Sequence, residues 1–583
     1  AFERLAERPV AWNGGKPLRD TLLDLYRTEA APDVEADVIY TFWVKHAICT
    51  DPNCKKEVPL FKDYLVAHKT MSVRYWRDMT CPECAKSFDW ETQAATLIAD
   101  RALMVDAARG SAGEGRPNAA WVYAPEPPKP KRRRDTVYAE LDCPCCAKRI
   151  KVAAPSERKK ERKKVPFTVL LCPACESVWQ WRGDLLEGTV ACPACRHEYD
   201  PRKGNLPEKG QFQCGCGNRD RIIESLRLLP KERRLPVRPY ALQAYLPAES
   251  REDEEATGDG AQQSLFGDGA DRQETLGLQR RAEIRRELPE SFLLPENGKF
   301  FKRFSVADKA RLTEAERLWE QHKQSLPYPK SEIPVGEKTK SGLLSHHYNY
   351  WHEMFAPRQL LALSTLLDGI MQEPDEKLRE LLICAFSGAL ELNNMLTRYM
   401  VARKSAGGQT AQGVFSRHDY QPKNTITENN VFGLEGIAMG SFQSKLALIK
   451  DGLKFQGQCW DFVDDGSDGE REKVITDRLV GDGVAVLCAN SAITSTEAPD
   501  VVITDPPYVG NVNYAELADF YYVWQRLALK SRYAWFAPEH TPKGEEVIEN
   551  KTRGKTRDNF FSDLAVVFQR VHEQLQNHGV LTF

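Results

Sequence analysis

Hydrophobic residues recur with helical spacing in the middle of the chain. Pro357 suits the first turn of a helix, and four apolar residues beyond it share one face: Leu360, Leu363, Leu367 and Ile370. A longer helix, predicted to reach Arg398, carries a second stripe: Leu378, Leu382, Ala385, Ala389, Leu392 and Leu396. Arg358 and Asn394 lie beside these stripes, and we expect them to be caps or buried hydrogen-bonding groups. Since similar periodicity begins near Leu312, we expect a helical region over residues 311–440.

Short apolar runs replace the helical spacing towards the C-terminus. The apolar pattern predicts two buried strands of an α/β sheet, at residues 484–488 and at Val501–Ile503. A helix predicted from Tyr514 has an apolar face that core packing explains: Leu517, Phe520, Tyr521, Trp524 and Leu527. The chain starts with Ala and ends inside an apolar run, 579–583, that resembles an unfinished strand. We therefore expect a fragment of a longer protein.

Composition narrows the class of protein. The 583 residues are 42% hydrophobic and 28% charged, and no run approaches the ~18 apolar residues that a membrane-spanning helix needs. The first residues show no basic-then-apolar pattern, so no secretory signal is visible. Thirteen of the sixteen cysteines lie between Cys49 and Cys216, mostly in close pairs. In a long chain without a signal, this spacing indicates zinc in a reducing compartment, and we expect a cytoplasmic protein.

The cysteine pairs predict up to three structural zinc sites, because two pairs complete one tetrahedral shell. Cys49 and Cys54 are expected to join Cys81 and Cys84. Cys172 and Cys175 are expected to join Cys192 and Cys195, which leaves four outer cysteines to combine: Cys143, Cys146, Cys214 and Cys216. Sequential pairing within this second block is the alternative. Cys145 and His197 are possible substitute ligands.

Charge is segregated along the chain, although the net charge is only −2. Residues 129–164 contain 14 Lys and Arg against 5 acids, with dense runs at 131–134 and 158–164. Basic tracts beside zinc ribbons often contact nucleic acid, although such a run is equally often a solvated loop. Residues 249–274 contain 9 acids against 2 bases, which indicates a mobile linker.

The tetrapeptide Asp505-Pro506-Pro507-Tyr508 follows the predicted strand Val501–Ile503. The carboxyl ends of parallel strands are where open α/β sheets bind ligands. The Asp505 carboxylate and the Pro506 carbonyl can both accept hydrogen bonds from one exocyclic amine, while the ring of Tyr508 can stack on a base. An aromatic amine is a poor nucleophile, because its nitrogen lone pair is delocalised into the ring. Two acceptors that bind its N–H groups favour a tetrahedral nitrogen, whose lone pair can then point at an electrophile. This arrangement suits methyl transfer to nitrogen.

The tetrapeptide and several other segments of the chain resemble a known family. A D/N-P-P-Y/F motif after a buried strand is the signature of amino-methyltransferases that use S-adenosylmethionine. The longer similarity is to the large adenine-specific DNA methyltransferases of the DUF-eleven-fifty-six group. Further segments that carry this resemblance are residues 237–240, 355–360, 428–433, 488–491 and 513–524.

The resemblance implies roles for individual residues. Asp505, Pro506, Pro507 and Tyr508 would hold the target adenine. Asn490 and Ser491, at the turn after the preceding strand, would contact the cofactor's adenosine, as would Asp505. The glycine-rich turn of the family, F-x-G-x-G, is not found in this sequence. The resemblance therefore implies a chain that begins after that turn and binds the cofactor weakly or not at all.

The implied fold is α/β, a partial doubly wound Rossmann-like sheet with inserted zinc-ribbon modules and a helical region. Five segments follow: a first zinc module (1–112), a basic linker with a second cysteine-rich module (113–235), a connecting segment with the acidic linker (236–310), the helical region (311–440) and part of a catalytic domain (441–583).

The implied function is methyl transfer from S-adenosylmethionine to the N6 amine of adenine in double-stranded DNA. Its setting would be restriction-modification or phage defence, with partner proteins from such a system and no membrane. Two alternatives are a tRNA guanine-N2 methyltransferase and a zinc-stabilised module that binds nucleic acid or a protein partner and has an incomplete methyltransferase fold.

Overall fold

The structure is a computed structural model that describes residues 2–31, 34–91, 120–123, 138–153, 160–182, 188–246, 298–401, 411–434, 436–464, 471–475, 481, 483–493, 498–510 and 512–583. The acidic linker at 249–274 and the basic run at 131–134 lie outside these residues. None of the described helices combines the length and the apolar character that a membrane crossing requires.

A six-stranded antiparallel sheet, here called the central sheet, joins distant parts of the chain. Its longest strand, Val34–Ile48, pairs with Val237–Tyr245 on one side and Thr425–Asn429 on the other. Lys299–Arg303 adds a strand beyond Val237–Tyr245. The remaining strands, Arg27–Ala31 and Glu57–Pro59, pair with the two ends of the longest strand. Residues 36–45 of that strand are all buried, so both of its faces are covered.

A second, five-stranded sheet packs beside the central sheet. Its order is Val178–Arg182, Lys160–Leu171, Leu65–Thr80, Ser87–Glu91 and Ala120–Tyr123, and only the last pair is parallel. Part of the predicted basic run, residues 160–164, therefore belongs to a strand. Apolar side chains from this sheet pack against the central sheet in one shared core. The described residues also form six two-stranded antiparallel pairs. Three of them are Pro9–Val10 with Lys16–Pro17, Arg398–Tyr399 with Ala411–Gln412, and Trp460–Asp464 with Arg471–Ile475. The other three are Tyr138–Asp142 with Arg149–Ala153, Val190–Ala191 with Glu198–Tyr199, and Gln211–Gln213 with Arg219–Arg221.

Helices cover the central sheet and form the largest core. The described α-helices are Phe2–Ala6, Leu18–Asp24, Ile222–Arg227, Val306–His322, Glu337–Gly342, Pro357–Met371, Glu376–Leu390, Phe442–Gly457, Tyr514–Leu529 and Arg557–Gln574. Short 3-10 helices are Ala11–Asn13, Leu344–His346, Trp351–Met354, Ala534–Phe536 and Lys551–Arg553. The stripe predicted after Pro357 is buried in this core, and the helix begins at Pro357 as expected. Leu517, Phe520 and Trp524 are buried there too, which confirms the packing role of their helix face.

Arg358 and Asn394 are buried hydrogen-bonding groups, as predicted. Arg358 donates from Nε and Nη2 to the two carboxylate oxygens of Glu428, both at 2.8 Å, and from Nη2 to Thr41 Oγ1 at 2.8 Å. Trp43 Nε1 also donates to Glu428 Oε2, at 2.9 Å. Asn394 Nδ2 donates to the carbonyl of Leu390 at 2.9 Å. The bonds of Arg358 tie the helical layer to the central sheet, whereas the Asn394 bond closes the end of its own helix.

The second predicted helix ends earlier than expected. It spans Glu376–Leu390 and does not reach Arg398, which lies in a short strand. Asn393 Nδ2 donates to the Ala389 carbonyl at 2.7 Å, beside the equivalent bond from Asn394 to Leu390. Short amide side chains compete with backbone amides for these carbonyls, so two consecutive asparagines stop a helix that the apolar spacing alone would continue.

The C-terminal region contains a parallel strand pair. Val501–Ile503 pairs in parallel with Val580–Thr582, so the predicted strands at 501–503 and near 579–583 both form. The prediction that Val501–Ile503 is buried is wrong, because Val501 is 56% and Ile503 79% exposed. The prediction of a buried strand at 484–488 is wrong: this run has no regular structure, and Val486 is 92% exposed. An apolar run becomes a buried strand only where a neighbouring strand bonds its backbone. The described fold is mixed α/β with many small sheets, and a larger Rossmann-like sheet remains an expectation.

Candidate functional site

Twelve cysteines form three groups of four. The groups are Cys49, Cys54, Cys214 and Cys216; Cys81, Cys84, Cys143 and Cys146; and Cys172, Cys175, Cys192 and Cys195. Within each group, all Sγ atoms lie within 4.8 Å of one another. Facing sulfurs are 3.6–3.9 Å apart, for example Cys172 and Cys195 at 3.6 Å and Cys81 and Cys146 at 3.9 Å. A tetrahedral zinc ion with Zn–S bonds of about 2.3 Å separates its sulfurs by about 3.8 Å. Each group could therefore hold one zinc ion.

Each cysteine pair forms the turn of a β-hairpin. Cys81 and Cys84, for example, lie between Leu65–Thr80 and Ser87–Glu91. The residue after the second cysteine has a positive φ in all six turns: Lys55, Ala85, Ala147, Glu176, Arg196 and Gly217. In that conformation the amide of Ala85 donates to the carbonyl of Cys81 at 2.9 Å. The turn thereby points both sulfurs to one side, which a single ion requires.

The pairing of the cysteine turns differs from the prediction at two of the three groups. Cys172, Cys175, Cys192 and Cys195 group as expected. Cys49 and Cys54 join Cys214 and Cys216, whereas the prediction of a group with Cys81 and Cys84 is wrong. The turn at Cys49 follows the longest strand of the central sheet, and the turn at Cys81 belongs to the five-stranded sheet. Each of these two groups has an apolar core of its own, in which the partner turn packs.

Neither predicted substitute ligand belongs to a group. Cys145 lies in the turn between Cys143 and Cys146, where its amide faces Cys143 Sγ at 3.3 Å. The His197 ring stacks on Tyr199 with centroids 6.0 Å apart. Four thiolates close the shell of a zinc ion, so these sites support the fold and leave no position for a reacting water.

The DPPY tetrapeptide lies directly beyond the carboxyl end of Val501–Ile503. The Thr504 amide donates to the Thr582 carbonyl at 3.1 Å, which is the last ladder bond before the motif. Tyr508 is 61% exposed, and its hydroxyl donates to Asp505 Oδ1 at 3.1 Å. This hydrogen bond to a carboxylate raises the pKa of Tyr508. Asp505 is exposed, while Pro506 and Pro507 are half-buried, so the carboxylate and the ring are both open to a ligand.

Asn490 and Ser491, the predicted cofactor contacts, lie in a turn next to a different segment. Asn490 Nδ2 donates to Glu545 Oε2 at 3.0 Å, and Ser491 is exposed. Glu549 of the same segment lies near Gly510, where an added Cβ would meet Glu549 Oε2 at 3.6 Å. Residues 541–555 therefore border both the predicted cofactor turn and the chain just after DPPY. They are here called the acidic loop after their three glutamates, Glu545, Glu546 and Glu549, although they also contain four Lys and Arg.

Two buried acids of the Tyr514–Leu529 helix hold the acidic loop, and neither was predicted as a site residue. Glu516 accepts from Asn550 Nδ2 and Arg553 Nη2, both at 3.0 Å. Asp519 accepts from the Thr541 amide at 2.9 Å and lies 2.7 Å from Lys543 Nζ. The sequence signal for them was two acids three residues apart on a helix that is otherwise largely apolar.

Asn550 links this network to the chain after DPPY. Its Nδ2 also donates to Asn513 Oδ1 at 2.8 Å, and both residues are buried. The acidic loop, the helix and the start of the segment that follows DPPY are therefore held as one unit.

The two predicted cofactor residues differ in what they can offer S-adenosylmethionine. Asn490 Nδ2 donates to Glu545 Oε2 at 3.0 Å, and Asn490 Oδ1 accepts from the Ala492 amide at 2.9 Å, so Asn490 could contact an adenosine only by giving up a bond within the chain. Ser491 is exposed. Comparison of the chain with protein-family models, with curated proteins and with solved structures gave no match in any of the three.

Proposed function

We propose that this chain carries the target-amine side of an S-adenosylmethionine-dependent methyltransferase site that acts on the N6 amine of adenine in DNA. The observation that carries the proposal is the position of DPPY. Its carboxylate and aromatic ring lie exposed beyond the carboxyl end of a parallel strand, at the edge where α/β sheets bind ligands.

Each residue of this proposed site has its own role. Asp505 and the Pro506 carbonyl accept hydrogen bonds from the two N–H groups of the amine, and the Tyr508 ring stacks on a base that has left the duplex. Tyr508 also donates its hydroxyl proton to Asp505, which fixes the orientation of the carboxylate. S-adenosylmethionine, when bound, supplies the methyl group as an electrophile. Since the protein forms no covalent bond, its contribution is chiefly the positioning of the amine.

Methyl transfer to nucleic acid tests this proposal. Zinc-loaded protein, S-adenosylmethionine with a labelled methyl group, and either unmethylated DNA or tRNA are incubated, and the methylated nucleosides are identified by mass spectrometry. We expect N6-methyladenine from DNA. Asp505→Ala should lower its formation by about 100-fold or more, the scale of losing one preorganised polar contact to a reacting group. Asp451→Ala, an exposed acid on the Phe442–Gly457 helix, is the matched control and should leave the rate unchanged.

Two results would contradict the proposal. Methylated guanine from tRNA, with no change in DNA, would favour the tRNA methyltransferase alternative. A folded, zinc-loaded chain that transfers no methyl group to either substrate would favour a zinc-stabilised binding module. The second alternative has its own support in the structure, because three four-cysteine groups stabilise turns along two sheets.

A further inference from the structure

A cavity of about 720 Å³ lies beside the central sheet, away from the DPPY motif in the sequence. Its walls come from the central sheet, from the segment after Glu57–Pro59, from the short strand Arg398–Tyr399 and from residues 423–427. This volume falls within the range of about 300–1,000 Å³ that is usual for small-molecule sites.

Aromatic rings form much of the cavity wall. The rings that line it are Phe42, Phe61, Tyr64, Tyr240 and Tyr399. Phe42 meets Tyr399 edge to face, with centroids 5.1 Å apart and planes at 85°, and Phe61 meets Tyr240 with the same distance and angle. Edge-to-face contacts lock the rings against each other, so the wall is rigid before any ligand enters. Flat aromatic ligands such as nucleobases stack on walls of this kind.

Two positively charged side chains lie on one side of the same cavity. Arg398 and Lys423 both line it and are half-buried. Arg398 Nε donates to Gln412 Oε1 at 2.5 Å, and Lys423 Nζ donates to Gln421 Oε1 at 2.8 Å, so both partners are neutral amides. Within the described part of the chain, neither cation has a carboxylate at ion-pair distance.

Burial and the nearby charges of Arg398 and Arg417 lower the pKa of Lys423 to about 8, although Asp419 acts in the opposite direction. Burial, together with repulsion from Arg417, lowers the pKa of Arg398. Three cations that repel one another in a partly buried place are unfavourable in the empty site. An anion bound among them would remove that repulsion, and Arg and Lys are the side chains that hold phosphate.

The acids of the cavity do not cancel this charge. Glu208 accepts from Gln211 Nε2 at 3.1 Å and lies 4.0 Å from Arg219, so it already has partners. Asp63 accepts from the Leu65 amide at 3.3 Å, burial raises its pKa, and within the described residues it forms no ion pair with Arg398 or Lys423. The cavity therefore combines an aromatic wall with an uncompensated cationic wall.

We propose that this cavity binds a nucleotide, with the base against the aromatic wall and the phosphate between Arg398 and Lys423. None of the residues that line it belongs to the DPPY region, so this site is separate from the proposed methyl-transfer site. The nucleotide can be a free mononucleotide or one unit of a single strand, since both present the same base and phosphate.

Calorimetric titration of the zinc-loaded chain with four probes tests the proposal: AMP, adenosine, inorganic phosphate and an eight-nucleotide single-stranded DNA. AMP should bind at least tenfold more tightly than adenosine or phosphate, because only AMP engages both walls. Lys423→Gln and Arg398→Gln should each weaken AMP binding by tenfold or more. Lys377→Gln, which removes one exposed lysine from the Glu376–Leu390 helix, is the charge-matched control and should not change it.

Hydrogen exchange on the unmodified chain gives a second measurement that needs no variant. AMP should slow exchange at residues 398–401 and 423–427. If the oligonucleotide binds at least tenfold more tightly than AMP, the natural ligand is a strand; if AMP binds as well or better, it is a free nucleotide.

Three outcomes would overturn the proposal: no binding of AMP or oligonucleotide up to millimolar concentration, equal binding of adenosine and AMP, or AMP binding that is unchanged in both cation variants. Asp505→Ala should bind AMP normally, so failure of this site and failure of the methyltransferase proposal give different results.

Discussion

The Arg358–Glu428 ion pair lies inside the largest core, where water reaches neither charge. The side chains are 4% and 0% exposed, and the pair forms two parallel hydrogen bonds of 2.8 Å. Glu428 has a third donor in Trp43, and Arg358 has a second acceptor in Thr41. The partners come from two segments far apart in sequence, so the pair fixes the helical layer on the central sheet.

Removing one member of this pair should be costly, because the other charge stays buried without a counter-ion. We expect Arg358→Met to lower the free energy of unfolding by about 3–5 kcal/mol. Arg311→Met is the control: its 2.9 Å pair with Glu35 is 34% and 51% exposed, and its loss should cost less than about 1 kcal/mol. The measurement is the urea midpoint of each variant.

The double variant Arg358→Met/Glu428→Gln should be less destabilised than the sum of its two single variants, since no unpaired charge remains. A midpoint for Arg358→Met that equals that of Arg311→Met would show that the buried pair has no special role.

Single residues were also the easiest to predict from sequence. Arg358 and Asn394 were expected to be buried hydrogen-bonding groups, because polar residues beside an apolar helical stripe must find partners. Their actual partners could not be predicted, since Glu428 and Thr41 are distant in sequence and reach Arg358 only after the sheet has formed.

The β-hairpin with two cysteines in its turn is the repeated element of this chain. Its sequence signal is local, so all twelve cysteines of the three groups could be predicted. The pairing of the turns is not local, because each turn meets its partner in an apolar core that the whole chain has to assemble. This is why one of three groups was predicted and two were not.

Metal content tests the pairing directly. The chain should hold three zinc ions, and Cys84→Ser/Cys146→Ser should hold two, because both cysteines belong to one group. Cys54→Ser/Cys84→Ser should hold one, since it breaks two groups. The readout is zinc per chain by mass spectrometry after removal of loosely bound metal.

Cys145→Ser is the matched control for these variants and should keep all three ions. If Cys54→Ser/Cys84→Ser retained two ions, Cys49 and Cys54 would share a site with Cys81 and Cys84, and the grouping seen in the structure would be wrong.

For the whole molecule, sequence patterns predicted parts but not their assembly. The mixed α/β class, the stripe after Pro357 and the strand before DPPY followed from local spacing. The central sheet was not predicted, because its strands Val34–Ile48, Val237–Tyr245 and Thr425–Asn429 come from widely separated segments. The run at 484–488 was predicted as a strand from its apolar residues alone, and local composition cannot show whether a neighbouring strand exists to pair with it.

The candidate methyl-transfer site could likewise be predicted only in part. DPPY could be found from four residues, whereas the acidic loop could not, because Glu516, Asp519 and Asn550 meet only in the folded chain. The loop adds a structural element to the site: it contacts the turn that carries Asn490 and is fixed to the helix that follows DPPY. Methyl transfer at this place requires that the same region also bind S-adenosylmethionine.

Calorimetric titration of the folded, zinc-loaded chain with S-adenosylmethionine tests the central claim most directly, because it needs no knowledge of a recognition sequence. The account predicts one molecule bound per chain, with measurable but weak affinity because the family's glycine-rich turn is not found in this sequence. Binding should be weakened further in Asp505→Ala and unchanged in Asp451→Ala. Lys423→Gln should also bind normally, which separates this site from the nucleotide cavity. Absence of binding by a chain that holds its three zinc ions would contradict the methyltransferase proposal.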